Sequence, residues 1–238
     1  LMLFDSSKTE EDQKTTLAEY VTRMPESQKE IYYITAENRK AAMNAPQLEA
    51  FNSKGFEVLF FTDPIDEWVV RDLTSYKDKK LRSISQGDID LDSEDEKKEQ
   101  EKKREEATKE NEGLLAAIKE LLGDKVKEVR LSKRLTESAC CLVSDEWGMG
   151  INMEKIMKAM NQDVPPARRI FEINGDHPLI AIMRDLHAQD AKHPKLAEYT
   201  SMLYDEALLT AQLPLEDPLA FAKRVSALMV AEGTALTK

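Results

Sequence analysis

PKLAEYTSMLYDEALLTAQLPLEDPLAFAKRVSALM, residues 194–229, decides how the last part of this chain is built. Leu196, Tyr199, Leu203, Ala207 and Leu208 recur at the three- and four-residue spacing of one helix face, and Leu219, Ala222, Val225, Leu228 and Met229 repeat the pattern after a break. Leu213-Pro214 closes the first helix. Asp217-Pro218 opens the second, with Asp in the N-cap position and Pro in the first helical one. Such a hairpin cannot bury both stripes by itself. Two solutions are open: pairing with an identical hairpin across a two-fold axis, as an antiparallel or crossed four-helix bundle, or packing back onto its own domain.

Upstream of the hairpin the pattern is mixed. Val126 to Ser132 alternates as a half-buried strand, Ala139 to Val143 is a short continuous apolar one, Met149 to Met160 reads as a helix, and Arg169 to Ile173 returns as a strand. Asn174-Gly175-Asp176 turns into a helix carrying Leu179, Ile180, Met183 and Leu186. From Asp92 to Glu112 the composition changes to Glu and Lys, with Glu94/Lys98, Glu99/Lys103 and Glu105/Lys109 four apart in the favourable order. This predicts a solvated connecting helix. It gains an apolar side only at Leu114, Leu115, Ile118, Leu121 and Leu122 and ends at Gly123, which puts a domain boundary near its start.

The first ninety residues read as an α/β unit. Ile31 to Ile34 is a buried strand, Thr35 opens a helix to about Asn44, Pro46 restarts a helical piece, and Phe56 to Phe61 is the most apolar strand of the chain. A helical crossover of this length favours parallel pairing of the two strands. Asp63-Pro64 is expected to cap a helix carrying Ile65, Trp68, Val69 and Leu73, and Leu81 to Ile84 to form an edge strand.

The 238 residues carry 45 acidic against 34 basic side chains, a formal net charge of −11, which argues against nucleic acid or an anionic membrane as main partner. No apolar run approaches a membrane span and no secretory signal opens the chain, which starts on Leu1 as a fragment of a longer protein would. Cys140 and Cys141 are the only cysteines. A disulfide between neighbours is strained, so a reducing cytoplasm is expected.

Signals for catalysis are sparse. No glycine-rich phosphate loop, H-E-x-x-H pair, C-x-x-C or G-x-S-x-G elbow is present, and His177, His187 and His193 are not at metal-ligand spacing. His177, at a predicted helix start, is expected to take a capping or polar surface role rather than a catalytic one. Cys141 reads as a buried structural thiol, with Cys140 on the more exposed face of its strand. The unusual stretch is WGMGINMEKIMKAM, 147–160. Met149, Met153, Ile156, Met157 and Met160 share a helical stripe, which is either an ordinary core face or an adaptable surface for varied partners. Gly148 and Gly150 favour a protruding segment. Trp68 poses the same question on a polar helix turn.

Several motifs resemble the ninety-kilodalton heat-shock chaperones, including their bacterial form: IYYITA at 31–36, DPIDEW at 63–68, VRLSKRLT at 129–136, ACCLVS at 139–144, NMEKIMKA at 152–159, FEINGDHP at 171–178 and the run ending LEDP at 215–218. The resemblance covers essentially the whole chain. It implies an α+β fold, with a small α/β/α piece at residues 1–95 equivalent to the C-terminal part of the family's middle domain. Residues 96–238 would be its C-terminal dimerisation domain, reached through a charged helix at about 92–122 and ending in a hairpin that forms an intermolecular four-helix bundle. It further implies a homodimer whose interface holds Leu196, Tyr199, Leu203, Ala207, Leu208, Leu219, Ala222, Val225, Leu228 and Met229. Non-native client proteins would be contacted by Glu67, Trp68, Arg71, Trp147, Met149, Met153, Ile156 and Met157. The family's ATP and Mg site would lie outside this chain, leaving it no cofactor and no catalytic residue. The ending GTALTK lacks the acidic pentapeptide by which eukaryotic members recruit helical-repeat co-chaperones. Read without the resemblance, the chain is equally a structural dimerisation module whose Met-rich helix docks one specific partner.

Overall fold

Ile31, Tyr32, Tyr33 and Ile34 send side chains alternately to both sides of one strand, and all four are buried, so this strand lies inside a sheet covered on both faces. The computed structural model describes residues 2–92, 94–165 and 167–237, with the backbone alone for 94–96 and 100. In chain order the first unit contains β1 (Asp5–Ser6), α1 (Leu17–Arg23), β2 (Ile31–Thr35), α2 (Arg39–Met43), a 3-10 turn (Pro46–Leu48), α3 (Glu49–Ser53), β3 (Val58–Phe61), α4 (Asp66–Asp72), β4 (Ser75–Tyr76) and β5 (Lys79–Ser83). The sheet order is β1-β3-β2-β5-β4. β2 runs parallel to β3, with Tyr33 opposite Leu59 and Ile34 opposite Phe60, and parallel to β5 on its other side. Tyr32, Ile34, Val58 and Phe60 pack with Leu48 and Phe51 from the α2–α3 side; Ile31, Tyr33, Leu59 and Phe61 pack with Leu17 and Tyr20 of α1 and with Val69 of α4.

Three expectations are corrected here. The helix expected from Thr35 starts at Arg39, because Thr35 is still paired with Phe61 in the sheet and Asn38 makes the cap, its side chain accepting from Ala41 N at 2.9 Å. Asp63 does not cap α4; instead the Asp66 carboxylate accepts from Asp63 N at 3.0 Å. β5 is not an edge, because the two-residue β4 pairs antiparallel outside it. β1 and β4 are too short to leave a period in the sequence.

The second unit opens with α5 (Glu94–Leu122), 29 residues and about 43 Å long. The Glu94/Lys98 pair lies outside the described side chains; Glu99 and Lys103 do pair, at 2.7 Å. Leu114, Ile118 and Leu122 face inward at four-residue steps, whereas Leu121 points to solvent. Gly113 lets α5 approach its neighbour: a Cβ there would sit 2.9 Å from His187 Cε1. There follow β6 (Val126–Leu131), β7 (Cys140–Val143), α6 (Ile151–Ala159), β8 (Arg169–Ile173), α7 (Pro178–Gln189), α8 (Pro194–Thr210) and α9 (Pro218–Leu236). The sheet order is β6-β8-β7, with β6 parallel and β7 antiparallel to β8. Cys140, Leu142, Phe171 and Ile173 point from this sheet into a core closed by α5, α7 and α8. His177 caps α7, its Nδ1 accepting from Leu179 N at 3.1 Å, and Asp217 caps α9, accepting from Ala220 N at 2.9 Å.

The terminal hairpin divides in two. Leu196, Leu203, Ala207 and Leu208 of α8 are buried in the chain's own core, so these four are corrected from partner-facing to core positions; Tyr199 packs against that core and stays half-buried. Their stripe meets β7, α5 and α7 first. α9 buries no residue: Leu219, Leu228, Met229, Val230 and Leu236 all stay exposed, and Ala222 is exposed beside a half-buried Val225. Cys140 is also corrected. It is 2% exposed because α8 covers its strand, with Sγ 3.1 Å from Leu203 O. Burial pushes both thiols well above their ordinary pKa, which makes them poor nucleophiles.

Candidate functional site: a cleft between the two units

The far face of β8 decides how the units meet. In the run Arg169-Ile170-Phe171-Glu172-Ile173, strand alternation puts Glu172 on the side away from the helical core, beside Cys141. A buried carboxylate requires cations and donors, and it receives them: Arg130 Nη2 at 2.8 Å, Arg134 Nε at 2.9 Å from its other oxygen, and the Ser132 hydroxyl at 2.8 Å. Arg134 is fully buried, and its guanidinium also reaches the first unit, donating to Ile84 O at 2.5 Å and Gly87 O at 2.7 Å. Gly87 has φ +60°, and a Cβ there would come 3.1 Å from the Glu146 Cβ, so both its conformation and its surroundings call for glycine. Its N–H donates to Ser144 O at 3.0 Å, next to a bond from Ser144 N to Ser85 O at 3.0 Å. The seam between the units is therefore crossed by a run of polar contacts, in which the buried Ser144 hydroxyl has no hydrogen-bond partner.

At one margin the seam opens into a cleft of about 720 Å³. Glu67, Val70 and Arg71 of α4 line one wall, Tyr33 to Glu37 lie at its base, and Trp147 to Met153, Lys155 and Thr210 to Gln212 form the opposite wall. α6 is turned inside out for a helix of its composition. Its buried positions are polar: Asn152 Nδ2 donates to Glu67 Oε1 at 2.9 Å, and Glu154 is held by Arg169 and, at 2.6 Å, by Lys158. Met153, Ile156 and Met157 are left half-buried, Met149 and Met160 are exposed, and Trp147 stands 92% exposed. The segment is braced to the first unit by Arg82–Glu146 at 2.7 Å, Lys155–Glu37 at 3.2 Å and a bond from Gln86 Nε2 to Gly148 O at 3.1 Å.

The expected surface residues do not all meet. Trp147, Met149, Met153, Glu67 and Arg71 share the cleft; Trp68, Ile156 and Met157 do not line it. Trp68 lies about 100° round α4 from Glu67 and is half-buried. Glu67 is only 6% exposed and engaged by Asn152, so it orients α6 rather than offering a free carboxylate. Asn152→Ala strands that acceptor and is expected to cost about 1–3 kcal/mol in urea unfolding; a loss below about 0.3 kcal/mol would mean that water replaces the amide. Glu49, Gly87, Arg134, Asn152 and Glu172 were not foreseen. Only Glu172 leaves a signal in the sequence, a lone carboxylate within an otherwise apolar buried stretch.

Among the described residues no group of three or more His, Cys, Asp or Glu side chains could hold a metal ion, and no helix is long and apolar enough to cross a membrane. What the seam and cleft form is a hollow lined in part by Met149, Met153 and the exposed Trp147. The family model described as Hsp90 protein matches residues 1–235, and the chain belongs to the Hsp90 family. Among its relatives, the chaperone protein HtpG of Geobacter metallireducens is 54% identical over 235 residues, covering 99% of this chain and 36% of that protein. HtpG of Geobacter sulfurreducens is likewise 54% identical over 235 residues. HtpG of Mycolicibacterium gilvum is 44% identical over 217 residues, 91% of this chain and 33% of that protein. The chain thus spans about a third of the length of the curated relatives it matches.

Proposed function

We propose that this chain is a part of an ATP-dependent chaperone that supplies self-association and part of the apolar surface for non-native client proteins, and has no catalytic role of its own. Residues 1–95 correspond to the C-terminal α/β part of the family's middle domain, and 96–238 to its C-terminal dimerisation domain. The cytoplasm is the compartment of this reading. The observation that carries it is the inverted α6, which spends its polar side chains on anchoring and leaves methionines half open beside an exposed tryptophan. Unbranched methionine side chains repack against many shapes, which suits a surface that takes varied partners weakly. Two copies brought together by α9 would add avidity to such weak contacts.

Changing Met149 and Met153 to Glu is expected to reduce suppression of aggregation of several unrelated unfolded proteins by about tenfold, equivalent to about 1.4 kcal/mol of lost apolar burial in total. The self-association and melting temperature of this variant are expected to match the parent. Unchanged suppression would remove the cleft from client binding, and loss against one protein alone would make the chain a docking module for a specific partner.

A further inference from the structure

Glu49 opens α3 in the first unit, yet its carboxylate finishes in the second. One oxygen accepts from Thr136 N at 2.7 Å and Glu137 N at 2.8 Å, both lie 3.1 Å from Ser138 N, and the Ser138 hydroxyl donates to the other. Three successive N–H groups converging on one point make a concave anion site. Here it is filled from the same chain. Burial of Glu49 by itself would raise its pKa, but the Ser138 hydroxyl and the amides outweigh that and hold it below the usual carboxylate value. Two residues before this nest, Arg134 crosses in the opposite direction to the carbonyls of Ile84 and Gly87. Ala50 N donates to Arg134 O at 3.1 Å and Gln47 Nε2 to Leu142 O at 2.9 Å in the same seam. Each unit therefore presents bare backbone groups that a charge from the other completes. The two halves differ in access: Arg134 is fully buried, whereas Glu49 is half-buried against the exposed Thr136 and Glu137.

We propose that Glu49 and Arg134 form a reciprocal latch between the units, with Glu49 the releasable half, and that the 136–138 nest is an anion site able to take a small carboxylate when Glu49 leaves it. The latch sets how the two walls of the cleft stand. Its effect on clients rests on the reading of the cleft given above; the latch itself does not.

The test uses the full chain with Glu49→Ala and Glu49→Gln, read by hydrogen exchange at the amides of Thr136, Glu137 and Ser138 in chloride and in formate at equal ionic strength. Charge-assisted bonds of this kind predict exchange about tenfold faster or more in E49A, a smaller rise in E49Q, which keeps a neutral acceptor, and recovery of E49A protection in formate with no change in the parent. Protection unchanged in E49A overturns the latch, and so does protection lost without formate recovery in a protein whose Phe171 amide stays protected. If E49A does not fold, E49Q carries the same comparison, and parent-like exchange there overturns the proposal. Client suppression is expected to fall several-fold in E49A and to recover with formate. Unchanged suppression alongside the exchange and formate results keeps the latch and overturns the cleft reading instead.

Discussion

Glu172→Gln is expected to lower the unfolding free energy by about 3–5 kcal/mol, the range for removing one partner from a buried ion pair. The carboxylate is 1% exposed and contacts two guanidinium groups, one of them, Arg134, fully enclosed. An amide keeps the shape and some acceptor capacity but leaves the Arg134 charge uncompensated in a medium that hydrates it poorly. Because Arg134 also holds Ile84 and Gly87, the loss should be felt in both units. Equilibrium denaturation of the full chain measures it: the midpoint is expected to fall with little change in slope. Removing the two fully buried charges, as Glu172→Leu with Arg134→Leu, is expected to recover part of the loss, since the one charge then left without its carboxylate, Arg130, is partly exposed. A Glu172→Gln variant within about 1 kcal/mol of the parent would mean that water reaches the pair.

The second large effect separates the two terminal helices. On the proposal that α9 carries self-association, Leu228→Glu with Met229→Glu is expected to leave the chain folded and to weaken that association by at least about a hundredfold, because each introduced carboxylate would have to be desolvated at the contact. Met229 is 66% exposed, so the single copy loses little. Leu203→Glu is expected to do the opposite. This side chain is 1% exposed within the core of α5, α7 and α8, and burying an unpaired carboxylate there removes most of the stability of a domain held by about 5–15 kcal/mol. Sedimentation equilibrium with far-ultraviolet circular dichroism reads both. A folded Leu203→Glu chain would contradict the packing of α8, and a double α9 variant that associates like the parent would move the interface elsewhere.

Much of the fold was legible because it is written in local periods. The strand at Ile31 to Ile34, the apolar strand ending at Phe61, the long charged helix, the cap at Asp217 and the burial of Cys141 all follow from residues within a few positions of one another. Of the residues lining the cleft, the sequence pointed to Trp147, Met149 and Met153, and the family resemblance added Glu67 and Arg71. It missed that Glu67 is an internal acceptor, because its partner Asn152 is 85 residues away and no spacing rule reaches that far. It also took α6 for a helix with a methionine core face or a protruding one, without seeing that polar anchors occupy the buried side.

The sequence by itself determined where most of the longer helices and strands lie, though not α1, β1 or β4, and that two apolar helices close the chain, since helical and strand periods and cap chemistry depend only on near neighbours. Only the tertiary structure decided which of those two helices is spent on the chain's own core. The stripes of α8 and α9 have the same spacing and similar residues, so nothing local distinguishes them. The difference arises because β7, α5 and α7 converge on α8 and bury it, leaving α9 beyond their reach. For the same reason the charges of Glu49, Arg134 and Glu172 acquire their roles only when chain segments far apart in sequence close the seam around them.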